Sequence, residues 1–365
     1  MVDGSNDRYA KEHSKRYVKE GHAREYDVVK NVVKEYDIIT VGSAVVDAFV
    51  KTAPSDSEIL HIHHHVDMCY PLGSKILVDN LEFFTGGGGT NSAVAFSRMG
   101  LRTAFLGMIG NDNNSKMILD ELHRENIDFI GKRGETSGFS VILDAIAKDR
   151  TVFAYKGCND DLSGINKKNN EKNLKTKWFY FSSMLGKSFK TQEFLANYGK
   201  KNGIKIAFNP SLYIAKKGAK YLKNIISNTE ILILNKEEIQ ALLNIRSNNV
   251  FQLLYEASMI GPKIICVTDG DKGVHCYDSY NKEFYSVDAK KIHVVEATGA
   301  GDAFASGFVA GRIKNYSISN CLKIGMLNSE SVIKYRGAKN ILLGEKIFHT
   351  AEKDNRKIVV NKLRH

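Results

Sequence analysis

The hydrophobic positions of this chain fall into short apolar runs that alternate with longer segments of helical spacing. The apolar runs are rich in β-branched and aromatic residues and predict buried strands over Tyr36–Gly42, Ala104–Met108, Trp178–Ser182, Lys205–Phe208, Ile231–Leu234 and Ile264–Thr268. The segments between them predict helices over Ser92–Met99, Ser115–Glu125, Thr191–Lys200, Glu237–Leu243 and Val250–Ser258. Strands that alternate with helices predict an α/β fold with a mainly parallel sheet covered on both faces.

Two regions interrupt this alternation and predict a second, smaller sheet. Residues 48–85 contain a polar stretch followed by a strand pattern over Ser74–Phe84, and residues 138–157 have the pattern of a hairpin. Together they predict a β lid that projects from the main domain. The predicted organisation is a polar extension over 1–34, one domain over 35–345 and a C-terminal tail over 346–365.

Composition limits the class of protein. The formal net charge is +11, from 52 basic and 41 acidic residues, but the lysines are scattered and no nucleic-acid recognition motif accompanies them. Five cysteines without a C-x-x-C pair favour reduced intracellular thiols. No apolar run has the length of a membrane span, and no signal-peptide pattern is present. We therefore expect a cytoplasmic protein without a nucleic-acid or membrane partner.

The strongest candidate for chemistry is the segment 296–304, where three small residues precede a carboxylate. Helical spacing of small and apolar residues follows, so Gly299, Ala300 and Gly301 fall at a predicted helix start. Unpaired N–H groups and the helix dipole make such a start an anion site. Asp302 is then placed to take a proton from an attacking hydroxyl, which suggests phosphoryl transfer. An ordinary turn in which Asp302 caps the helix is the alternative.

Two earlier segments carry candidate substrate-binding groups. Four glycines at 86–89 precede Asn91, and the entropy cost of ordering them favours a close ligand approach over a flexible loop. Asn91 offers a donor and an acceptor to a polyhydroxylated substrate. Asp47 lies just beyond the first strand, where it either accepts hydrogen bonds from two neighbouring hydroxyls or caps a local turn.

Two later strand ends carry polar residues. Asn235 and Glu238 follow one apolar strand, and Glu238 is a candidate to hold Mg²⁺ through water. Taken alone, this segment is better explained as a helix start with acids favoured by the dipole. Thr268 and Gly270 end another strand and, taken alone, indicate only a turn.

As a set, these segments resemble the signatures of the ribokinase-like family, also called the PfkB carbohydrate kinases. Gly-Gly-x-Gly-x-Asn at 86–91 resembles that family's first signature, and Thr-Gly-Ala-Gly-Asp at 298–302 resembles its second and more specific one. Asn-x-x-Glu at 235–238 and Thr-x-Gly-x-x-Gly at 268–273 lie between them in the family's order. The resemblance covers residues 36–345.

The resemblance implies a three-layer α/β/α domain with a small β lid, ATP as phosphoryl donor, and a homodimer in which the lid lies over a partner subunit. It implies that Asp302 is the general base and that the backbone of Gly299, Ala300 and Gly301 forms the anion hole. The positions that match substrate-binding residues are Asp47, Gly87 and Asn91. Those that match the Mg²⁺ and phosphate segment are Asn235 and Glu238, and those that match nucleotide contacts are Thr268 and Gly270.

The chain departs from the family pattern in two places. Glu296-Ala297 stand where the family often has Asp-Thr, and that aspartate position helps to bind a monovalent cation in some members. Dependence on potassium is therefore left open. Gly88 stands where some ribose-using relatives have lysine, so ribose is not secured as the substrate.

Four histidines, His61, His63, His64 and His65, suggest a metal site, because alternating residues could share one strand face. No carboxylate or cysteine at a diagnostic spacing completes such a site. We therefore expect an exposed polar loop of the lid instead of a metal centre.

The predicted function is ATP-dependent phosphorylation of a hydroxymethyl group on a small sugar, with adenosine or another nucleoside as the alternative substrate. A dinucleotide-binding oxidoreductase would need Gly-x-Gly-x-x-Gly after the first strand, where Gly42 stands alone. A Walker-type NTPase is disfavoured because no Gly-x-x-x-x-Gly-Lys-Ser/Thr occurs. A non-catalytic nucleotide-binding sensor on the same scaffold is the least favoured alternative.

Overall fold

A ten-stranded sheet and a separate four-stranded sheet organise the computed structural model, which describes residues 34–52, 58–62, 65–144, 150–165 and 172–363. The described residues from Glu35 onward belong to one compact unit. The extension predicted over 1–34 lies outside the described residues except for Lys34.

The ten-stranded sheet has a parallel part and an antiparallel edge. Its parallel strands, in spatial order, are β15 (Ile264–Thr268), β14 (Ile231–Asn235), β13 (Lys205–Asn209), β12 (Thr176–Ser182), β1 (Tyr36–Val41), β6 (Thr103–Leu106) and β8 (Asp128–Phe129). Beside β15 lie three antiparallel strands, β16 (Val274–Asp278), β17 (Glu283–Val287) and β18 (Val359–Lys362). The predicted parallel strands are confirmed, and the antiparallel edge is an addition to them.

The smaller sheet is the lid. Its strands, in spatial order, are β11 (Arg150–Tyr155), β10 (Gly138–Asp144), β2 (Val45–Thr52) and β5 (Val78–Gly86). Two short pairs complete the strands: β3 (Glu58–Ile62) with β4 (His65–Cys69), and β7 (Met108–Ile109) with β9 (Lys132–Arg133). The two segments predicted to form a lid therefore pair with each other, β10 lying parallel to β2.

Helices connect the strands and cover the large sheet. They are α1 (Gly88–Arg98), α2 (Asn113–Arg124), α3 (Gly186–Asn202), α4 (Leu212–Ala215), α5 (Gly218–Tyr221), α6 (Lys223–Ile226), α7 (Lys236–Leu243), α8 (Val250–Met259), α9 (Ala300–Ile313), α10 (Ile318–Val332) and α11 (Ile347–Lys353). Residues 346–365, expected to be a tail, thus contribute a helix and the edge strand β18.

The large sheet has a hydrophobic core on each face. Successive residues of β1 belong to different cores, since Ile38 lies in one cluster and Ile39 in the other. Such alternation follows from the pleat of a strand and shows that both faces are covered. Trp178, on β12, is buried as predicted for an apolar strand residue.

Helix α9 is held tightly against α10 by small residues. A Cβ added at Gly307 would lie 2.9 Å from the Cα of Gly325, so the two backbones meet where neither residue has a side chain. Every residue of α9 from Ala303 to Gly311 is buried. The first turn of α9, which carries Asp302, therefore projects from a firmly packed helix.

Membrane-spanning helices were searched for among the described residues. None of the helices found there combines the length and the hydropathy that a membrane span requires.

Candidate active site

The glycine cluster lets helix α1 start directly against the end of β1. A Cβ at Gly89 would lie 2.7 Å from the carbonyl carbon of Gly42, and one at Gly87 would lie 2.5 Å from Ser43 O. Gly87 also has φ +97°, a conformation that favours glycine. Gly87 and Gly89 are therefore required by close packing of the backbone within the protein. The sequence had instead suggested a close approach of a ligand as the reason for the glycines.

Gly88 is the member of the cluster that faces Asp302. Its Cβ would lie 2.9 Å from the Cβ of Ser182 and 3.6 Å from Oδ1 of Asp302. A lysine at this position would collide with Ser182, so the glycine and the serine fit each other.

Asp302 and Asn91 meet across 211 residues of sequence, with Asn91 Nδ2 donating to Asp302 Oδ2 at 2.8 Å. Asn91 is buried, and its Oδ1 has no hydrogen-bond partner among the described residues. The same holds for the buried Oγ of Ser182. Buried acceptors without partners are costly, so this pair of oxygens is suited to receive the hydroxyl groups of a ligand.

A buried lysine supplies positive charge to both candidate aspartates. Burial raises the pKa of the Asp302 carboxyl, and the Asn91 amide and the charge of Lys339 act in the opposite direction. Burial likewise raises the pKa of Asp47, against the hydroxyl of Ser140 and the charge of Lys339. Asp47 and Ser140 are neighbours on the paired strands β2 and β10.

Asp47 faces the glycine cluster from the lid. A Cβ at Gly86 would lie 2.0 Å from Asp47 Oδ2, so the carboxylate occupies the space that a side chain there would need. Strands β2 and β5 thus deliver Asp47 and the start of α1 to the same edge of the site. A local turn cap is not its role, because Asp47 lies within a strand.

The start of α9 has one open position and one closed position. Gly299 has φ +81°, and its Cβ would lie 2.5 Å from that of Ala338, whereas Gly301 is exposed and its Cβ would meet nothing within 4 Å. The Ala300 N–H donates to Ala297 O at 3.2 Å, while those of Gly299 and Gly301 make no bond to other described residues. The open side at Gly301 is therefore the face available to an anion.

A carboxylate fixes the turn before this helix. Oε1 of Glu296 accepts hydrogen bonds from the Thr298 N–H at 2.9 Å and from Thr298 Oγ1 at 2.6 Å. The same oxygen is ion-paired with Arg150 of lid strand β11. Glu296 thus joins lid strand β11 to the turn over residues 296–299 that leads into α9, which we call the anion loop.

The second set of predicted residues lies at the ends of β14 and β15. Asn235 and Thr268 are register partners, and the loops that follow them are joined by an ion pair between Lys236 and Asp269 at 3.4 Å. Gly270 has φ +56° and open space where its Cβ would be. This edge of the sheet therefore offers an accessible loop beside Asn235.

Glu238 has both a structural role and an electrostatic one. It forms a capping box with Asn235, in which each side chain accepts the other's backbone N–H at 2.8 Å. Burial raises its pKa to about 7, and the negative charge of Asp302 contributes to the rise. A divalent cation bound nearby would relieve this repulsion between the two carboxylates.

These residues fit a magnesium ion of the kind that accompanies nucleotide phosphates. Mg²⁺ keeps most of its water in such sites and needs only one or two carboxylates. Within the described part of the chain, no three His, Cys, Asp or Glu residues are grouped as a protein-only metal cage. A water-mediated contact between Glu238 and such an ion stays a prediction.

The four histidines of the lid are only partly described. His63 and His64 lie outside the described residues, whereas His61 and His65 lie in β3 and β4. The backbone there forms a hairpin, where the sequence analysis expects a loop.

Sequence reasoning missed three residues of the site: Ser182, Lys339 and Arg150. Ser182 ends an apolar strand, where a polar residue at the carboxyl edge of a parallel sheet is a usable signal. Lys339 and Arg150 carry no local signal, since their partners Glu121 and Glu296 lie 218 and 146 residues away.

Comparison with known proteins identifies the class to which this fold and site belong. Residues 60–343 match the pfkB family carbohydrate kinases, so the chain belongs to this family and the predicted enzyme class, a kinase, is confirmed. The sequence is 25% identical over 252 residues to an uncharacterized sugar kinase of Archaeoglobus fulgidus, covering 67% of this chain and 97% of that protein. It is 23% identical over 291 residues to a nucleoside kinase of Methanocaldococcus jannaschii, covering 77% and 89%.

The fold has counterparts among solved structures. A ribokinase of Arabidopsis thaliana, solved in complex with ribose and ATP, superposes with a TM-score of 0.73 at 19% sequence identity. The superposition covers 88% of this chain and 100% of the ribokinase. The predicted ribokinase-like fold is thereby confirmed.

Proposed function

We propose that this protein transfers the γ-phosphoryl group of ATP to a hydroxymethyl group of a small sugar. The observation that carries the proposal is the Asn91–Asp302 hydrogen bond beside the open start of α9. This bond brings a carboxylate and an amide together beside an open helix start, and phosphoryl transfer requires such groups as base, hydroxyl-binding group and anion site.

In the proposed step, Asp302 takes the proton of the substrate hydroxyl while its oxygen bonds to the γ-phosphorus. The bond from that phosphorus to the bridging oxygen of ATP breaks, and ADP leaves. The backbone N–H groups of Gly299, just before α9, and of Gly301, in its first turn, stabilise the charge on the transferring group. Mg²⁺, held near Glu238 through water, would neutralise phosphate charge.

Substrate hydroxyls are bound by groups that lack protein partners or carry charge. The free Oδ1 of Asn91 accepts a hydrogen bond from a hydroxyl near the reacting one, and the free Oγ of Ser182 accepts or donates one. Asp47 accepts hydrogen bonds from two further hydroxyls. Thr268 and Gly270 form the edge that receives the nucleotide.

A nucleoside is the second candidate acceptor, because its ribose offers the same hydroxyl groups to Asp47 and Asn91. The relatives named above include a sugar kinase, a ribokinase and a nucleoside kinase. We favour a sugar and take the nucleoside as the alternative outcome of the assay below.

We also propose that two copies of the chain associate through their lids. The outward face of the lid carries exposed apolar residues on both of its edge strands, among them Phe83 and Phe153. Exposed apolar area of this kind is typical of an interface.

The test is ATP-dependent ADP release with ribose, fructose, other ketoses, adenosine and further nucleosides. We expect turnover with one acceptor and a loss of about 10²–10⁴-fold in kcat for Asp302→Asn, because the base is removed. The carboxamide keeps an acceptor for Asn91, so the melting temperature should be little changed. Asp161→Asn, an exposed carboxylate paired with Lys187, is the matched control. Near-normal turnover by Asp302→Asn would contradict the assignment of the base.

A further inference from the structure

Both edge strands of the lid are joined to the core by an ion pair, and the lid supplies the cation in one pair and the anion in the other. Arg150 on β11 pairs with Glu296 of the core, and Glu82 on β5 pairs with Arg336 of the core at 3.0 Å. The core partners lie on adjoining segments, since the Glu296 N–H donates to Ile333 O at 3.2 Å. Both edges of the lid therefore meet the core next to the anion loop.

The two ion pairs differ in their exposure to solvent and in the contacts of their carboxylates. Glu82 and Arg336 are both about one-third exposed, at 39% and 33%, and a pair in such a setting is weak. The Glu296 side chain is only 8% exposed, and its Oε1 also holds the backbone and the hydroxyl of Thr298. The Arg150 pair is therefore the one that acts on the loop.

A carboxylate as buried as Glu296 is stable in its charged form only when a cation or several donors compensate it. Among the described residues, its ion-pair partner is Arg150. Without the guanidinium, the negative charge of Glu296 would be compensated only by the two hydrogen bonds from Thr298. The turn that leads into Gly299 and the open side of α9 would then lose its fixed conformation.

We propose that Arg150 is a positioning residue for phosphoryl transfer: its guanidinium is a tethered cation that neutralises Glu296 and so holds the anion loop in shape. The inference rests on the proposed function. It has two consequences. The intact enzyme needs no added monovalent cation at Glu296, and removal of the guanidinium creates a site that such a cation fills.

The kinetic test compares Arg150→Ala with the intact protein in buffers that contain either tetramethylammonium or potassium as the only added cation. We expect kcat of the variant to fall at least about 10-fold, with a smaller change in KM for the acceptor. Potassium or millimolar guanidinium should restore a large part of the lost kcat. The kcat of Arg150→Lys should lie between those of Arg150→Ala and the intact protein. Lys51→Ala, an exposed lid cation on β2, should match the intact protein in every buffer.

A second measurement needs no turnover and therefore separates this inference from the proposed function. Hydrogen exchange of the Thr298 amide, which donates to Glu296, should be faster in Arg150→Ala and slow again when potassium is added. Glu296→Gln keeps an acceptor oxygen without the charge. Adding Arg150→Ala to Glu296→Gln should therefore change neither exchange nor kcat.

The outcomes are distinct. If the intact protein phosphorylates none of the acceptors, the proposed function fails and amide exchange alone decides the inference. If exchange at Thr298 is the same with and without Arg150, the inference is wrong whatever the kinetics. A loss of kcat that no cation restores, or an equal loss in the Glu296→Gln background, would also overturn it.

Discussion

Lys339 is the residue whose charge most directly tunes the candidate base. Its side chain is 4% exposed, and its Nζ donates to Glu121 at 2.5 Å, to Thr90 at 3.0 Å and to Thr85 at 3.2 Å. A buried ammonium group held by one carboxylate and two hydroxyls is fully satisfied. Its field then reaches Asp302 and Asp47 and opposes the rise in pKa that burial causes in each.

We predict that Lys339→Met moves the acidic limb of the kcat–pH profile to higher pH. Burial raises the pKa of Asp302 and the charge of Lys339 lowers it, so loss of that charge leaves the pKa higher. Because the base acts only when deprotonated, activity must then fall off at a higher pH on the acid side. The measurement is kcat from pH 5 to about 9 at saturating substrates.

This variant leaves Glu121 buried without its cation, which costs about 3–5 kcal/mol in comparable cases. The double variant Lys339→Met with Glu121→Gln removes both charges and protects the fold. It should show the same displacement of the acidic limb. A profile that keeps its shape while only its height changes would mean that Lys339 supports structure alone.

At the scale of elements, the first turn of α9 combines a closed position and an open one. Gly299 packs against Ala338 with a positive φ, whereas Gly301 has helical geometry and free space. We therefore expect Gly299 to serve stability and Gly301 to serve catalysis, and substitution by alanine can separate the two roles.

We predict that Gly299→Ala destabilises the protein by about 1–3 kcal/mol, from backbone strain and collision with Ala338. Gly301→Ala should leave stability unchanged or raise it by about 0.5–1 kcal/mol, since alanine is the better helix former. Its methyl group nevertheless enters the space of the transferring phosphoryl group, so kcat/KM for ATP should fall. Denaturant unfolding and steady-state kinetics on the two variants measure both effects.

The control is Gly203→Ala at the end of α3, where φ is +69° and a Cβ would meet nothing within 4 Å. Its loss of stability reports backbone strain alone, and the excess in Gly299→Ala reports the collision. If Gly301→Ala were as active as the intact protein, phosphate would not approach this face of the helix.

The periodicity of the chain predicted most of these elements, because strands such as β14 and β15 are nearly continuous apolar runs. It placed the start of α1 at Ser92, whereas the helix begins at Gly88. Glycine has low helix propensity and gives no periodic signal, so a start that depends on its φ and its close packing is not visible in the pattern.

The same distinction applies to the site. Asp302 and Asn91 could be proposed from local motifs, and they meet in the structure. Lys339 is held by Glu121, and Arg150 acts through Glu296, and each pairing exists only because the fold joins distant segments. Local sequence identifies the groups that carry the chemistry, but not the charges that tune and position them.

On the scale of the whole molecule, the lid has two faces of different character. The register of its four strands aligns Phe83, Ala48, Val141 and Phe153 across the sheet on the face opposite Asp47. Phe83 and Phe153 are 49% and 60% exposed. A sheet that carries Asp47 and Ser140 on one side and exposed aromatic residues on the other is suited to a symmetric contact with a second copy.

We predict that the intact protein sediments as a dimer at micromolar concentration and that Phe153→Lys converts it to a monomer. A charge placed on the apolar face must be desolvated when two faces meet, whereas in the monomer it stays in water. The melting temperature of dilute protein should therefore change little. Sedimentation velocity over a range of concentrations measures the mass of each form.

Met259→Lys is the matched control, because Met259 is 69% exposed at the end of α8, outside the lid. It should sediment as the intact protein does. If dimerisation also holds the lid over the substrate, Phe153→Lys should raise KM for the acceptor. Dilution of the intact protein to concentrations at which the dimer dissociates should raise KM in the same way. An intact protein that is monomeric at these concentrations, or a Phe153→Lys variant of unchanged mass, would exclude the lid as the interface.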